Sequence, residues 1–231
     1  MKTSKIIFIS LLGTIAVLIL AITIYIRVNG RRSDGSQSDF KVNKQIVPVF
    51  KVLSVNNSMN ITIVKKDSSF IEVTCLKDSV APKVNYTMNG DTLIVSDFEK
   101  PGHRNISVTI HATDSLQHIQ LKKSNISIDR IGSGKLFFKL DASELWLNQD
   151  TLVKSSFPVL DIVAGNHSRI NSSDFRIDSL GLVLQKSEAD IEMKSRIISG
   201  TMSDSSRINV RQPEEISLKK DGTSKINVND Y

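Results

Sequence analysis

The most constraining feature of the sequence is an apolar motif that recurs between Ile119 and Asn229. Each copy holds two apolar residues around one variable residue, then a small or polar turn, then a second such pair. The clear copies are Ile119–Leu121 with Ile126–Ile128, Phe138–Leu140 with Leu145–Leu147, Leu182–Leu184 with Ile191–Met193, and Ile216–Leu218 with Ile226–Val228; Leu160–Ile162 and Ile208–Val210 fit half of it. Equivalent positions recur every ~16 to 22 residues, an interval typical of solenoid proteins.

This spacing predicts an all-β fold of the parallel β-helix type. Alternating apolar residues are typical of strands, and stacked coils bury a continuous apolar column that a single coil would leave exposed. We expect one column to contain Leu121, Leu140, Ile162, Leu184 and Leu218. We expect turns at Gly132, Gly134, Gly165, Gly181, Gly200 and Gly222. A β-sandwich is the structural alternative, because it also has short alternating strands, although it needs no repeated spacing.

The segment from Phe50 to Ile110 predicts further strands without a fixed repeat. Asn89-Gly90 favours a tight turn, because both residues tolerate positive φ, and it predicts an antiparallel hairpin between residues 84–88 and 92–96. The single cysteine, Cys75, follows Val73 in an apolar strand pattern and is expected to be a buried thiol. We expect the stacked coils to begin near Leu116.

The charge of the chain argues against a nucleic-acid partner. The net charge is +6, but Lys2, Lys5, Arg27, Arg31 and Arg32 supply five of the 30 basic residues. The other 25 basic residues and the 24 acidic residues nearly cancel. A basic surface that could contact phosphates is therefore not predicted.

The basic residues near the N-terminus flank an apolar run from Ile6 to Ile26 that contains no charged residue. As a helix it would be about 31 Å long, which is enough to cross a bilayer. We predict a signal-anchor with basic flanks in residues 1–32, a flexible stalk in residues 33–46 and the β-solenoid in residues 47–231. The flanking charges are nearly balanced between the two ends and favour a cytoplasmic C-terminus only slightly, so they leave the orientation open.

The order of motifs resembles a known family. Phe50-Lys-Val-Leu-Ser-Val, Met59-Asn-Ile-Thr-Ile, Val84-Asn-Tyr and a closing Gly222-Thr-Ser-Lys-Ile-Asn-Val follow the pattern of the auto-transporter adhesin head GIN domain of bacterial envelope proteins. The match spans residues 47–228, and this chain would be a divergent member, since a Gly-Ser-Gly turn survives clearly only at Gly132–Gly134. The resemblance implies a right-handed β-helix, export from the cytoplasm and no known enzymatic activity.

The candidate contact residues are two aromatic side chains that the strand pattern directs outward, Trp146 and Phe137. Exposed aromatic rings could stack on sugars or hold a partner protein; alternatively, a loop covers them or they pack together. The outward positions of the predicted coils do not stack two carboxylates, so we expect no enzyme. No motif predicts a metal site, a catalytic residue or a cofactor.

A second set of candidate sites follows a repeated Asp-Ser/Thr-apolar pattern. It is similar to an O-glycosylation signal of some bacteria that carry GIN-like domains. The acceptors would be Ser79, Thr92, Ser115, Thr151 and Ser179. Turn formation is the alternative reason for the pattern, because Asp-Ser and Asp-Thr initiate turns.

We expect a non-enzymatic protein of the cell envelope, held by residues Ile6 to Ile26 in the cytoplasmic membrane, with its β-domain outside the cytoplasm. Its role would be structural or adhesion-like, with an envelope glycan or a protein as partner. The alternatives are a cytoplasmic, membrane-tethered regulator, for example an accessory of an anti-sigma system, and a carbohydrate-binding or carbohydrate-active β-helix. An uncapped last coil would also permit self-association.

Overall fold

The computed structural model describes Gly13 and residues 17–21, 40–57, 60–77, 80, 82–98, 106–129, 134–147, 156–173, 176–192, 194–211 and 213–229. The chain divides into two units, residues 1–39 and 40–231. In the first unit, Gly13 and residues 17–21 are helical and exposed. Among the described residues, no helix has the length and apolarity needed to cross a membrane. Most of the predicted span from Ile6 to Ile26 lies outside the described residues, so it stays a prediction.

The second unit is all-β, and 19 strands are described in it. The first seven are Phe40–Ile46 (β1), Val52–Asn56 (β2), Asn60–Lys65 (β3), Phe70–Leu76 (β4), Val84–Asn89 (β5), Thr92–Phe98 (β6) and Ser107–Ala112 (β7). The next six are His118–Lys122 (β8), Asn125–Ile128 (β9), Lys135–Asp141 (β10), Glu144–Leu147 (β11), Ser156–Gly165 (β12) and Arg169–Ser172 (β13). The last six are Arg176–Gln185 (β14), Glu188–Ile191 (β15), Lys194–Ser203 (β16), Arg207–Arg211 (β17), Glu215–Lys220 (β18) and Lys225–Asn229 (β19).

The strands form two mixed sheets, which we call sheet A and sheet B. Sheet A has the order β1-β4-β7-β3-β9-β11-β13-β15-β17-β19, and sheet B has the order β18-β16-β14-β12-β10-β8-β2-β6-β5. From β8 onward the chain alternates between the sheets, and each strand pairs in parallel with the strand two further along. The resulting parallel array, β8 to β19, corresponds to the recurring apolar motif.

The first seven strands are arranged differently. β2 lies between β6 and β8, and β3 lies between β7 and β9, all in parallel. β1, β4 and β5 instead pair antiparallel, β4 with both β1 and β7, and β5 with β6. The hairpin predicted at Asn89-Gly90 is confirmed, with Asn89 opposite Thr92 and a φ of +58° at Gly90. Parallel stacking thus begins earlier in the chain than Leu116.

One hydrophobic core runs between the sheets, and it consists mainly of Ile, Val and Leu. In sheet B, one inward column follows the ladder from Ile119 to Phe138, Ile162 and Leu182. Among the described residues, Phe50 and Phe138 are the largest fully buried side chains. Cys75 is buried in β4, as predicted. β-Branched and other aliphatic side chains fit this arrangement, because they pack well against neighbours on a pleated surface.

The predicted column was wrong in register. Leu121, Leu140 and Leu184 do share a column, but Ala164 occupies the level between Leu140 and Leu184. Ile162 and Leu218 belong to the neighbouring inward column. The small side chain of Ala164 gives only a weak apolar signal at that position, so the sequence pattern favours the larger side chain of Ile162 instead.

A similar error affects the motif copy predicted at Ile191–Met193. The inward pair of β15 is Ala189 and Ile191, both buried, and the outward residue between them is Asp190. Glu192 follows the strand. The predicted pair is shifted by two residues from the true pair, and such a shift keeps the same face because side chains alternate with a period of two. The small side chain of Ala189 gives little apolar signal, so the pattern did not reveal the shift.

Three of the predicted turn glycines lie within strands, and the first, Gly165, is the last residue of β12. Gly181 is in β14, and Gly200 is in β16 between Leu182 and Leu218 of the adjacent strands. Gly200 has a φ of +140°, and a Cβ atom there would lie 1.8 Å from the Leu182 carbonyl oxygen. Close backbone approach, not turn formation, requires this glycine. The predicted stalk also ends early, because β1 occupies residues 40–46.

The turns that lead into the odd-numbered strands of the array carry serine. These turn serines are buried, and they are Ser124, Ser143, Ser168, Ser187, Ser206 and Ser224. The Ser187 N–H donates to Ser206 Oγ over 3.2 Å, and Ser206 Oγ donates to the Ser203 carbonyl over 2.6 Å. Equivalent bonds connect Ser124 to Ser143 and Ser143 to Ser168. Ser143, Ser168 and Ser206 therefore each satisfy a buried backbone N–H of the preceding turn, whereas Ser224 Oγ has no hydrogen-bond partner among the described residues.

Candidate functional site

The outward face of sheet A carries a column of polar residues that begins beside Trp146. The parallel register places Trp146 next to Asn171, then Asp190, Asn209 and Asn227 on successive strands. We call Asn171, Asp190, Asn209 and Asn227 the polar column. The alternation of each strand turns these side chains to the surface while their neighbours, such as Ile170 and Ile208, fill the core.

Hydrogen bonds connect members of the polar column from strand to strand. Asn227 Nδ2 donates to Asn209 Oδ1 over 2.7 Å, and Asn209 Nδ2 donates to Asp190 Oδ1. Asn171 Nδ2 donates to Glu144 Oε1 over 3.3 Å. Each amide also has a second N–H proton, and each carboxylate a second oxygen, that can bind a ligand. The bonds fix the orientation of the side chains before any ligand arrives.

A surface concavity of about 530 Å³ lies along the polar column. Its lining includes Trp146, Asn171, Asp190, Glu192 and Arg211. Trp146 is 43% exposed, which is unusual for so large an apolar side chain on a protein surface. The concavity thus combines one accessible aromatic ring with convergent amide and carboxylate groups, a composition typical of ligand-binding surfaces.

A charged column runs beside the polar column on the same sheet. The register of β11 to β19 aligns Glu144, Arg169, Glu188, Arg207 and Lys225. Arg169 and Glu188 form an ion pair of 3.4 Å, with both side chains more than half exposed. An exposed pair of this kind contributes little to stability. A second concavity, of about 580 Å³, lies between this column and the turn serines.

The second predicted aromatic contact, Phe137, is on β10 and therefore belongs to sheet B. It is half-buried, and its ring lies 5.5 Å from the ring of His118, centroid to centroid. Trp146 belongs to sheet A. The structure does not bring the two predicted contact residues together, and the satellite cluster considered as an alternative is not formed.

The predicted glycosylation acceptors are dispersed over the domain. Thr92 is half-buried in β6, and Ser179 is half-buried in β14. Ser115 Oγ donates to the Phe50 carbonyl oxygen over 3.2 Å and lies 2.5 Å from Thr113 Oγ1, which fits turn chemistry. Ser79 and Thr151 lie outside the described residues. Modification at these positions stays a prediction.

Sequence reasoning missed a buried histidine in the first part of the domain. His111, on β7, is 7% exposed and stacks on Phe70, with ring centroids 4.0 Å apart. Among the described residues neither ring nitrogen has a hydrogen-bond partner, although Nε2 lies 3.7 Å from a Glu72 carboxylate oxygen. Burial lowers the pKa of His111; Glu72 opposes the shift, while Lys66 and Lys44 add to it.

The described part of the chain contains no cluster of three or more His, Cys, Asp or Glu side chains suited to a metal ion.

The outward carboxylate of the Trp146 row is Asp190, whereas the sequence pattern predicted Glu192. In sheet B, Asp161 lies beside Phe137 of β10, whereas Lys139 lies beside Val163.

No protein-family model and no curated protein matches the chain. Among solved structures, it is similar to a candidate adhesin from Bacteroides fragilis, with 13% identity and a TM-score of 0.50 over 82% of this chain and 97% of that chain. A candidate lipid-binding protein from Parabacteroides distasonis aligns with 11% identity and a TM-score of 0.49, over 84% of this chain and 98% of that chain. At such low identity the likeness to the first concerns the fold alone, and the second adds no argument.

Proposed function

We propose that the chain is a non-enzymatic protein of the cell envelope that presents a right-handed parallel β-helix outside the cytoplasmic membrane, in a structural or adhesion-like role. The observation that carries this proposal is the parallel array of β8 to β19. Its strands alternate between two sheets and pair in register over successive levels. Such an array offers a rigid, extended surface and not a deep pocket.

The β-helix interpretation follows from the connectivity. A chain that moves from sheet B to sheet A and returns one level further describes one coil for each strand pair. Inward aliphatic residues then stack into columns, which a single coil could not bury. The two antiparallel strands β1 and β4, with β5, extend the stack beyond β6 and β7.

The envelope role draws on the sequence resemblance to the adhesin head GIN domain and on the similarity in fold to the candidate adhesin of Bacteroides fragilis. Both point to binding at a surface, and neither names a ligand. Membrane anchoring draws on the apolar run from Ile6 to Ile26, in which Val17 and Leu20 are more than 60% exposed. A helix apolar on all its exposed sides is stable in a bilayer.

Protease treatment of intact spheroplasts tests the proposed topology. We expect external protease to digest the β-domain in a native-host preparation, with a cytoplasmic enzyme as the protected control. Full protection of the domain before lysis, followed by digestion after lysis, would place it in the cytoplasm and refute the proposal.

A membrane-tethered regulator with a cytoplasmic domain is the second candidate. The observation that favours it is the placement of Arg27, Arg31 and Arg32 after the apolar run, because basic flanks tend to stay in the cytoplasm. The same protease experiment separates the two candidates.

A further inference from the structure

We propose that the Trp146 end of the polar column binds a neutral glycan, with one pyranose ring on the indole of Trp146 and its neighbours along Asn171, Asp190 and Asn209. This proposal deepens the proposed function, since it names the ligand class of an adhesion-like surface, and it rests on that function only for its biological role.

The aromatic ring supplies the apolar part of the site. Trp146 is 43% exposed at one end of the concavity, and its strand neighbours on the same face are Ser127 and Asn171. The C–H groups on one face of a pyranose carry a partial positive charge, and the face of an indole ring is negative. A sugar stacked there would cover the ring while its own hydroxyl groups stay in contact with water.

The polar column supplies the directional part of the site. Asp190 and Asn209 are already oriented by their mutual hydrogen bond, and Asn209 also accepts from Asn227. Successive rungs are about 4.8 Å apart, so the row from Trp146 to Asn227 is about 19 Å long. A linear chain of several sugar rings matches a site of this length, because each rung can exchange hydrogen bonds with a hydroxyl.

A peptide partner fits this face less well. β11, β13, β15 and β17 each pair with strands on both sides, so their backbone groups are used within sheet A. An added peptide strand needs a free sheet edge, and this face offers only side chains. A protein interface of ordinary size also needs a larger apolar centre than one tryptophan provides.

The charges near Trp146 favour a neutral ligand over an acidic one. Asp190 and Glu192 line the concavity with only Arg211 as a cationic side chain among the described lining residues. The concavity itself is net negative, and the charged column beside it, with two glutamates and three basic residues, only brings the whole face to neutrality, so a polysaccharide that carries carboxylates or sulfates gains no net attraction. Hydroxyl groups can donate to Asp190 and exchange hydrogen bonds with the asparagine amides, so an uncharged glycan is the better complement.

Intrinsic fluorescence tests the proposal directly, because Trp146 is the one tryptophan of the chain. The full chain is held in lauryldimethylamine oxide, a detergent whose headgroup contains no sugar. Cellohexaose, xylohexaose and mannohexaose are titrated separately to about 5 mM, a range that includes millimolar affinity. We expect a saturable blue shift of the emission with at least one of them, and a weaker or absent response to hexagalacturonate.

Variants assign the response to the site. Isothermal calorimetry is used, since Trp146→Ala has no tryptophan; its affinity should fall roughly tenfold or more. Asp190→Asn should weaken binding by less. Phe137→Ala, an aromatic truncation in sheet B, is the matched control and should bind like the unmodified chain. Circular dichroism melting confirms that each variant is folded.

The proposal is overturned if none of the three neutral hexasaccharides binds, if hexagalacturonate binds more tightly than all of them, or if Trp146→Ala binds normally. An equal loss of affinity in Phe137→Ala would also overturn it, because the site would then not be confined to sheet A. The protease experiment is independent: a domain outside the cytoplasm that ignores all glycans refutes only this inference, and a glycan-binding domain in the cytoplasm refutes only the proposed function.

Discussion

The first seven strands and the later parallel array build the same kind of core in different ways. In the array, neighbouring strands of a sheet are close in sequence, as with Leu145 and Ile170. In the first part, β2 and β3 lie between strands that occur much later in the chain, and β1, β4 and β5 run antiparallel. Both regions nevertheless place fully buried aliphatic residues inward. Packing of this core therefore needs the alternation of apolar residues, but it needs no repeat.

The regions also differ near the ends of sheet A, because the outermost strand β1 covers β4 in the first region, whereas β19 is itself the outermost strand of the array. Ile71 and Val73 of β4 are fully buried, because β4 pairs with β1 on one side and β7 on the other. In β19, Ile226 is half-buried and Val228 is 48% exposed. Stability should accordingly be distributed unevenly along the stack, and five mutational tests examine this comparison.

The largest effect is expected from Gly200→Ala in the parallel array. The new Cβ would lie 1.8 Å from the Leu182 carbonyl oxygen at a φ of +140°, so the backbone of β16 must move. We expect a loss of more than ~3 kcal/mol in the free energy of unfolding, measured by urea titration. Gly222→Ala is the control, because a Cβ there meets nothing within 4 Å. Equal losses in both variants would contradict this account.

The second test compares two levels of one inward column in sheet A. Ile126 is 1% exposed, whereas Ile226 is half-buried. Ile126→Ala should cost about 3 kcal/mol and Ile226→Ala about 1 kcal/mol, since the cost of truncation grows with the cavity left behind. Urea unfolding of both variants measures the difference. A larger loss for Ile226→Ala would show that the β19 level is packed more tightly than its exposure indicates.

The third test concerns the turn serines, which belong to the parallel array. Ser206→Ala removes the acceptor of the Ser187 N–H and a donor to the Ser203 carbonyl oxygen. We expect a loss of about 2 kcal/mol, because a buried backbone group is left without its partner. Ser195→Ala serves for comparison. Ser195 is buried, its hydroxyl has no hydrogen-bond partner among the described residues, and its removal should be neutral. Thermal melting of the two variants decides the question.

The fourth test addresses the first region through His111. Burial lowers the pKa of this imidazole below its ordinary value near 6.5. As the pH falls, the imidazole of the unfolded chain is therefore protonated before the imidazole of the folded chain. Stability is complete above that ordinary value and declines as the pH falls toward the lowered pKa. His111→Phe should gain about 1 kcal/mol at pH 7.5 and should reduce the loss between pH 7.5 and 5, measured by urea unfolding. An unchanged pH profile would contradict the role of His111.

The smallest effect is expected at the residue before a turn serine. Ala142 has a φ of +47°, a conformation in which a side chain costs about 1 kcal/mol. Ala142→Gly should therefore raise stability by about 0.5 kcal/mol, because the release of strain is partly offset by the freedom that glycine gains in the unfolded chain. Ala189→Gly, in strand β15, should lower stability in the same melting assay.

The sequence predicted the strands better than their register. Alternation located the inward pairs of β8 to β11 and the Asn89-Gly90 hairpin, because these segments contain large apolar residues or a specific turn pair. It failed at Ala164 and Ala189, whose small side chains carry little hydrophobic signal. It also failed at Gly200, where the need for glycine comes from a strand 18 residues earlier and cannot be inferred from local pattern.

Only part of the candidate site could be predicted from the alternation of apolar residues. Trp146 was identified correctly as an outward residue, because its neighbours Leu145 and Leu147 are both buried. The partners of Trp146 depend on exact register between strands, so Asp190 was missed in favour of Glu192. A regular spacing of the turn serines, 19 residues from Ser168 to Ser187 and from Ser187 to Ser206, was the signal that could have corrected the register.

The scaffold depends on the inward columns and the turn serines and not on the polar column, and this separation has an evolutionary consequence. Backbone position in the array is determined by residues that no ligand touches, whereas the side chains of the polar column contribute little to it. Replacement of Asn171 or Asn209 would therefore change the surface that we propose binds a glycan and would leave the scaffold intact. Relatives of this chain could acquire new specificities one surface residue at a time, without passing through unfolded intermediates.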